Sequence, residues 1–118
     1  MLDMLNVDVL FRAKVVYLIL SKETKEALEL LSSHYGVVEP KLKMGMPKRY
    51  SKNPACYVSK NRTIHVSRRE ILWNPQVILH EFYHHLRSVT DAQGGIEKYA
   101  DYFAKNYLQA YQKITSEK

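Results

Sequence analysis

His80-Glu81-Phe82-Tyr83-His84-His85 is the stretch that decides how this chain is read. On a helix, the spacing His80-x-x-x-His84 sets two imidazoles one turn apart on one face, close enough for both rings to reach one tetrahedral metal ion. Glu81 follows the first histidine and points about 100° away, at the edge of the same site. From there a carboxylate can deprotonate a water at the metal without itself binding the ion. Asn74-Pro75 supplies the start of such a helix, since Asn caps and Pro at the first helical position gives up only an orphan N–H. Ile78, Leu79, Phe82, Leu86 and Val89 then recur at three- and four-residue spacing as an apolar stripe. The two histidines fall largely off that stripe, so the helix anchors in a core and turns them to a cleft. Gly94-Gly95 suits its end and a sharp reversal.

Such a site needs a third protein ligand and an open fourth position. The next helix begins at Ile96-Glu97, and Glu97 and Asp101 lie one turn apart on a shared face. Both border an apolar stripe of Ala100, Phe103, Ala104, Tyr107, Leu108 and Tyr111. From His84 the helix runs roughly 10 Å to its expected end at Asp91. A four-residue loop then spans roughly 13 Å on the way back. A symmetric helical hairpin would place Asp101 opposite His84, so geometry alone leaves Glu97 and Asp101 both open as third ligand.

The pairing of His80-Glu81-x-x-His84 with Glu97-x-x-x-Asp101 resembles the gluzincin clan of zinc peptidases, to which thermolysin belongs. In size the chain is most similar to the minigluzincins, minimal catalytic domains of that clan. The likeness spans about residues 21–112, but only the two motifs are specific, and the spacing from His84 to Glu97 is shorter than in better-known members. The resemblance implies one Zn²⁺ per chain held by His80, His84 and Glu97, with Glu81 as general base. It implies that Asp101 hydrogen-bonds a ligand histidine. It also implies an α+β zincin-like fold: a small, mostly antiparallel sheet on an N-terminal backing helix, then the active-site helix and a C-terminal glutamate helix. Zincins carry a strand beside the active-site helix that accepts an extended peptide. Minimal gluzincins can be held latent by a C-terminal segment, for which Glu117 is the candidate donor here.

Composition sets the outer bounds. The 118 residues suffice for one domain with one core. The single cysteine, Cys56, excludes an internal disulfide framework and fits a reducing compartment. Its expected place is the core. The longest apolar run, Val15–Leu20, is far short of the ~20 residues that span a bilayer, and the start of the chain lacks the pattern of a signal peptide. A cytoplasmic protein is expected. The net charge of +6 is uneven: residues 40–69 hold nine basic side chains and no acidic one. A solvated surface accounts for such a block, and so does a field that draws acidic substrates, nucleic acid or an anionic surface.

The flanking segments complete the expected fold. Residues 2–20 are apolar on nearly every side, which predicts a buried helix and, in so small a chain, contact with a second copy. The β-branched run at 15–19 also fits a buried strand. Ser21 is the expected cap of a second helix running to about Ser33, with Ala27, Leu28, Leu30 and Leu31 buried, Gly36 at its end and His34 on its surface. Val37–Leu42 reads as a short strand restrained by Pro40, and 43–54 as a loop on the approach to the cleft. Ala55–Val58 and Thr63–Ser67 form a hairpin, with Ile64 and Val66 inward and His65 exposed. Residues 113–118 read as a loose polar tail. His85 is expected at the rim of the site, and Tyr83, Tyr99 and Tyr102 are the tyrosines near enough to stabilise an oxyanion.

These readings converge on a zinc peptidase that cleaves a peptide or protein substrate. Two rivals remain: a basic, nucleic-acid-associated zinc protein, and a catalytically silent zincin-fold module that oligomerises through its N-terminal segment.

Overall fold

The computed structural model describes residues 2–91 and 95–116. Helix α1 (Leu2–Leu20) is followed by α2 (Thr24–Tyr35), strands β1 (Lys41–Met44), β2 (Ala55–Val58) and β3 (Thr63–Val66), then α3 (Pro75–Asp91) and α4 (Glu97–Ser116). The class is α+β, four helices with one three-stranded sheet.

α1 settles as a helix through the β-branched run, and its apolar surface divides into two fates. Val15, Val16 and Ile19 are fully buried, whereas Leu10, Tyr17 and Leu20 stay about half exposed at 53%, 58% and 46%. The expectation of burial on every side is therefore corrected. The buried side packs most extensively against α4, with further contacts to α2 and α3.

Ser21 does not cap the second helix. Its N–H bonds back to the Tyr17 carbonyl and so finishes α1, and Lys22 takes a positive φ of 68° to reverse the chain. α2 starts only at Thr24, whose hydroxyl donates to the Leu72 carbonyl. Gly36 closes α2 in the left-handed region at φ 69°, as its lack of a Cβ allows. Tyr35 and Tyr107 hydroxyls meet at 2.6 Å and tie α2 to α4.

The sheet order is β1-β3-β2. β2 and β3 form the expected hairpin, antiparallel with Cys56 opposite His65, but β1 runs parallel to β3 with Leu42 beside Ile64. The sheet is thus mixed rather than mostly antiparallel. The reason lies in residues 45–54, which link the end of β1 to the start of β2. Met44 and Ala55 both sit level with Val66, on opposite sides of β3. β2 must therefore run against β1, and β3, returning between them, matches β1 in direction. β1 begins only after Pro40, because a proline has no N–H to give a ladder. β2 lies against α3 rather than on an N-terminal helix.

α3 has the local chemistry the sequence foretold. Asn74 Oδ1 accepts the Val77 N–H at 3.3 Å and Pro75 is the first helical residue. Ile78, Leu79 and Phe82 are fully buried and form the centre of one core with Ile64, Val66, Leu28 and Leu31. Each such side chain contributes about 1.5–3 kcal/mol on leaving water. α4 returns along α3, burying Ala100, Ala104 and Tyr107. It continues to Ser116, so residues 113–116 are helical; Glu117 lies outside the described residues, as does Gly94. Gly95 enters α4 at φ 71°, where a Cβ would collide with the Tyr83 ring and come within 3.0 Å of Arg87. Only glycine fits there, and it sets where Glu97 begins its helix.

Candidate metal centre

α3 presents His80 and His84 from successive turns, and α4 brings Glu97 across to both. Glu97 Oε2 lies 3.2 Å from His80 Nε2, and its Oε1 lies 2.6 Å from His84 Nε2. The three donor atoms fall within 4.8 Å of one another. A tetrahedral ion with bonds of about 2.0–2.1 Å would hold its donors roughly 3.4 Å apart, so modest side-chain adjustment accommodates one.

The second nitrogen of His80 is also engaged. Its Nδ1–H donates to Asp101 Oδ1 at 2.8 Å, which leaves Nε2 with its lone pair turned toward Glu97. A ring lone pair and a carboxylate oxygen repel unless a proton or a metal ion lies between them, and either satisfies this pair. Two histidines and one carboxylate so arranged are a donor set suited to a divalent cation, and the ligand chemistry fits zinc. Glu97 and Asp101 have the separate placements that the spacing left open. Glu97 faces both Nε2 atoms, and Asp101 sits behind His80.

Glu81 is 8% exposed and lines a cleft of about 390 Å³ with His84, Glu97, Tyr50, Asn53, Cys56, Tyr57 and Ser59. Burial pushes its carboxyl above the ordinary carboxylate range, and the neighbouring imidazoles pull it part of the way back. Cys56 is buried, as expected, and burial followed by the charge of Glu81 raises its thiol.

His85 is not at the rim. It is fully buried, and its Nε2–H donates to the Val38 carbonyl at 2.7 Å. Nδ1 is then an acceptor, and the Tyr57 hydroxyl donates to it at 2.8 Å. One step of about 100° round the helix turns His84 to the cleft and His85 to the core. His65 is buried too, its Nδ1–H donating to the Gly45 carbonyl at 3.0 Å. The arrival of residue 45 over β3 covers what a lone hairpin would leave open. His34 stays exposed, stacked on Phe11 at 4.2 Å.

Of the tyrosines expected near the site, none lines the cleft. Tyr83 packs on Phe103 and receives a hydrogen bond from Arg87 Nη1, while Tyr99 and Tyr102 are half exposed on α4. The tyrosines that do line it are Tyr50 and Tyr57. The sequence signal for them was the 43–54 loop and the hairpin that follows it, not proximity to His84 along the chain. No helix among the described residues is long and apolar enough to cross a membrane. No protein-family model, curated protein or solved structure matches the chain.

Proposed function

We propose that this chain is a zinc-dependent peptidase. The observation that carries the reading is the convergence of His80 Nε2, His84 Nε2 and the Glu97 carboxylate, with a buried carboxylate, Glu81, beside them in an open cleft. Zinc held there supplies a Lewis acid that polarises a carbonyl and acidifies water. Asp101 keeps His80 in the Nδ1–H form, so that Nε2 remains a ligand. Glu81 takes a proton from the water that attacks the scissile carbonyl carbon and hands it to the departing amine nitrogen as the C–N bond breaks.

β2 supplies a place for the substrate backbone. Pro54 O bonds Ser67 N, so the alternation of an antiparallel ladder turns Cys56 and Val58 toward β3. The N–H and C=O of Ala55 and Tyr57 then point away from β3, on the side where no further strand pairs among the described residues, with Ala55 buried and Tyr57 half-buried. An extended peptide adds to such an edge by backbone hydrogen bonds.

The test is zinc analysis together with cleavage of an unfolded protein by the native chain and by Glu81→Gln. The expected result is one zinc per chain in both, with cleavage reduced about 10²–10⁴-fold in the variant. Full activity in Glu81→Gln removes the base, and failure of either protein to take up zinc removes the metal site. Zinc uptake without cleavage, accompanied by steeply salt-dependent duplex binding, would favour the nucleic-acid rival.

A further inference from the structure

A second, larger hollow of about 750 Å³ adjoins the metal cleft. The two share Tyr50, Tyr57 and Ser59 in their walls, so they lie side by side where β2 ends. Their linings differ. The metal end carries Glu81 and Glu97, whereas the far end is lined by Lys43, Arg49, Lys60 and His65 and by no acid. Among the described residues Lys43, Arg49 and Lys60 form no ion pair, since the observed pairs all lie elsewhere. Their charge is therefore available to a ligand. The nearest stretch of sequence cannot neutralise it, because residues 40–69 contain no carboxylate.

We propose that this basic hollow is a specificity subsite for acidic side chains, and that the peptides cleaved here carry Asp or Glu a few positions from the cleaved bond. This rests on the peptidase reading of the adjoining cleft for the course of the peptide. A strand advances about 3.3 Å per residue, so a chain laid along β2 from Tyr57 reaches the level of Lys60 roughly three residues on. A peptide is favoured over a nucleic acid because β2, whose Tyr57 and Val58 line the hollow, is the edge strand of the described sheet and can pair with an extended backbone. The cations are solvent-exposed, so they act as a cooperative field rather than as three strong pairs.

The experiment measures binding to the zinc-loaded full chain carrying Glu81→Gln, by fluorescence anisotropy. The probes are short labelled peptides with amidated C-termini, identical except that the distal positions hold Glu, Gln or Lys. The Glu peptide should bind about tenfold more tightly than the Gln peptide, and that advantage should shrink as salt rises. Adding Lys43→Glu, Arg49→Glu and Lys60→Glu should reverse the ranking in favour of Lys. Lys60→Gln alone should reduce the Glu advantage severalfold, which preserves the test should the triple change impair folding.

Equal binding of the Glu and Gln peptides would overturn the proposal. So would a Gln peptide that gains the same advantage merely from a free C-terminus, which would assign the hollow to a terminal carboxylate. Stronger displacement of the Glu peptide by a single-stranded oligonucleotide of equal charge would also overturn it. A native chain that cleaves none of these peptides, with the Glu ranking intact, removes the peptidase reading and keeps the acidic-peptide site. Cleavage with no ranking does the reverse.

Discussion

The two faces of α3 are built from neighbouring residues with opposite duties. Glu81 and Phe82 are adjacent, yet one lines the cleft and the other is fully buried in the core. His84 and His85 repeat the division one turn later. The inner face is tied to the sheet, because His85 holds Tyr57 of β2 and Val38 just before β1. The outer face is tied to α4 through Glu97 and Asp101. The difference teaches that one helix can hold a rigid floor and a chemically reactive roof, provided that each face has its own partners.

That division predicts separable failures. Phe82→Ala should cost about 3–5 kcal/mol in urea unfolding, since a large ring leaves a packed core. An effect under about 1 kcal/mol would mean that the inner face is not the floor. His85→Leu should cost about 1–3 kcal/mol, because it strands the Val38 carbonyl and the Tyr57 hydroxyl without partners. Asp101→Asn acts on the outer face. It should weaken zinc affinity about tenfold in chelator competition, while shifting metal-free stability by no more than about 0.5 kcal/mol, as an exposed substitution does. A large loss of stability in that variant would erase the contrast between the faces.

The smallest effect is a pH slope. Burial lowers the proton affinity of His85, so the folded chain holds it neutral while the unfolded chain protonates it near the ordinary value of about 6.5. As pH falls below that value the unfolded state takes up the proton first, so stability present above it is lost on acidification. The loss approaches about 1.4 kcal/mol per pH unit until the folded pKa is reached. With metal chelated, His85→Leu should flatten the acid limb of unfolding free energy against pH by up to that slope. An unchanged slope would mean that His85 does not titrate on unfolding.

The outer face of α3 was legible because a metal motif is local: the spacing of His80 and His84, the Asn74 cap and the apolar stripe all lie within one helix. The stripe of α4 was legible for the same reason, but the short loop left Glu97 and Asp101 both open as the acid facing the histidines, and only the family resemblance favoured Glu97. The inner histidine was not. Its partners Val38 and Tyr57 are far off in the chain, and no local pattern separates a rim histidine from a core one. The sheet escaped in the same way, since the direction of β1 depends on where residues 45–54 cross rather than on any strand's own composition. α1 was ambiguous because it is apolar on every side, so nothing in it says which side meets α4 and which meets water.

The open edge of β2 has a consequence for how these molecules treat one another. The free side of an edge strand can pair with an extended chain, including the identical edge of another molecule, and unguarded edges lead to aggregation. Here Lys52 and Lys60 bracket that strand, so two copies brought edge to edge would press like charges together. Changing both lysines to neutral residues should therefore raise the tendency of the chain to associate through this edge, read as a rise in light scattering with concentration.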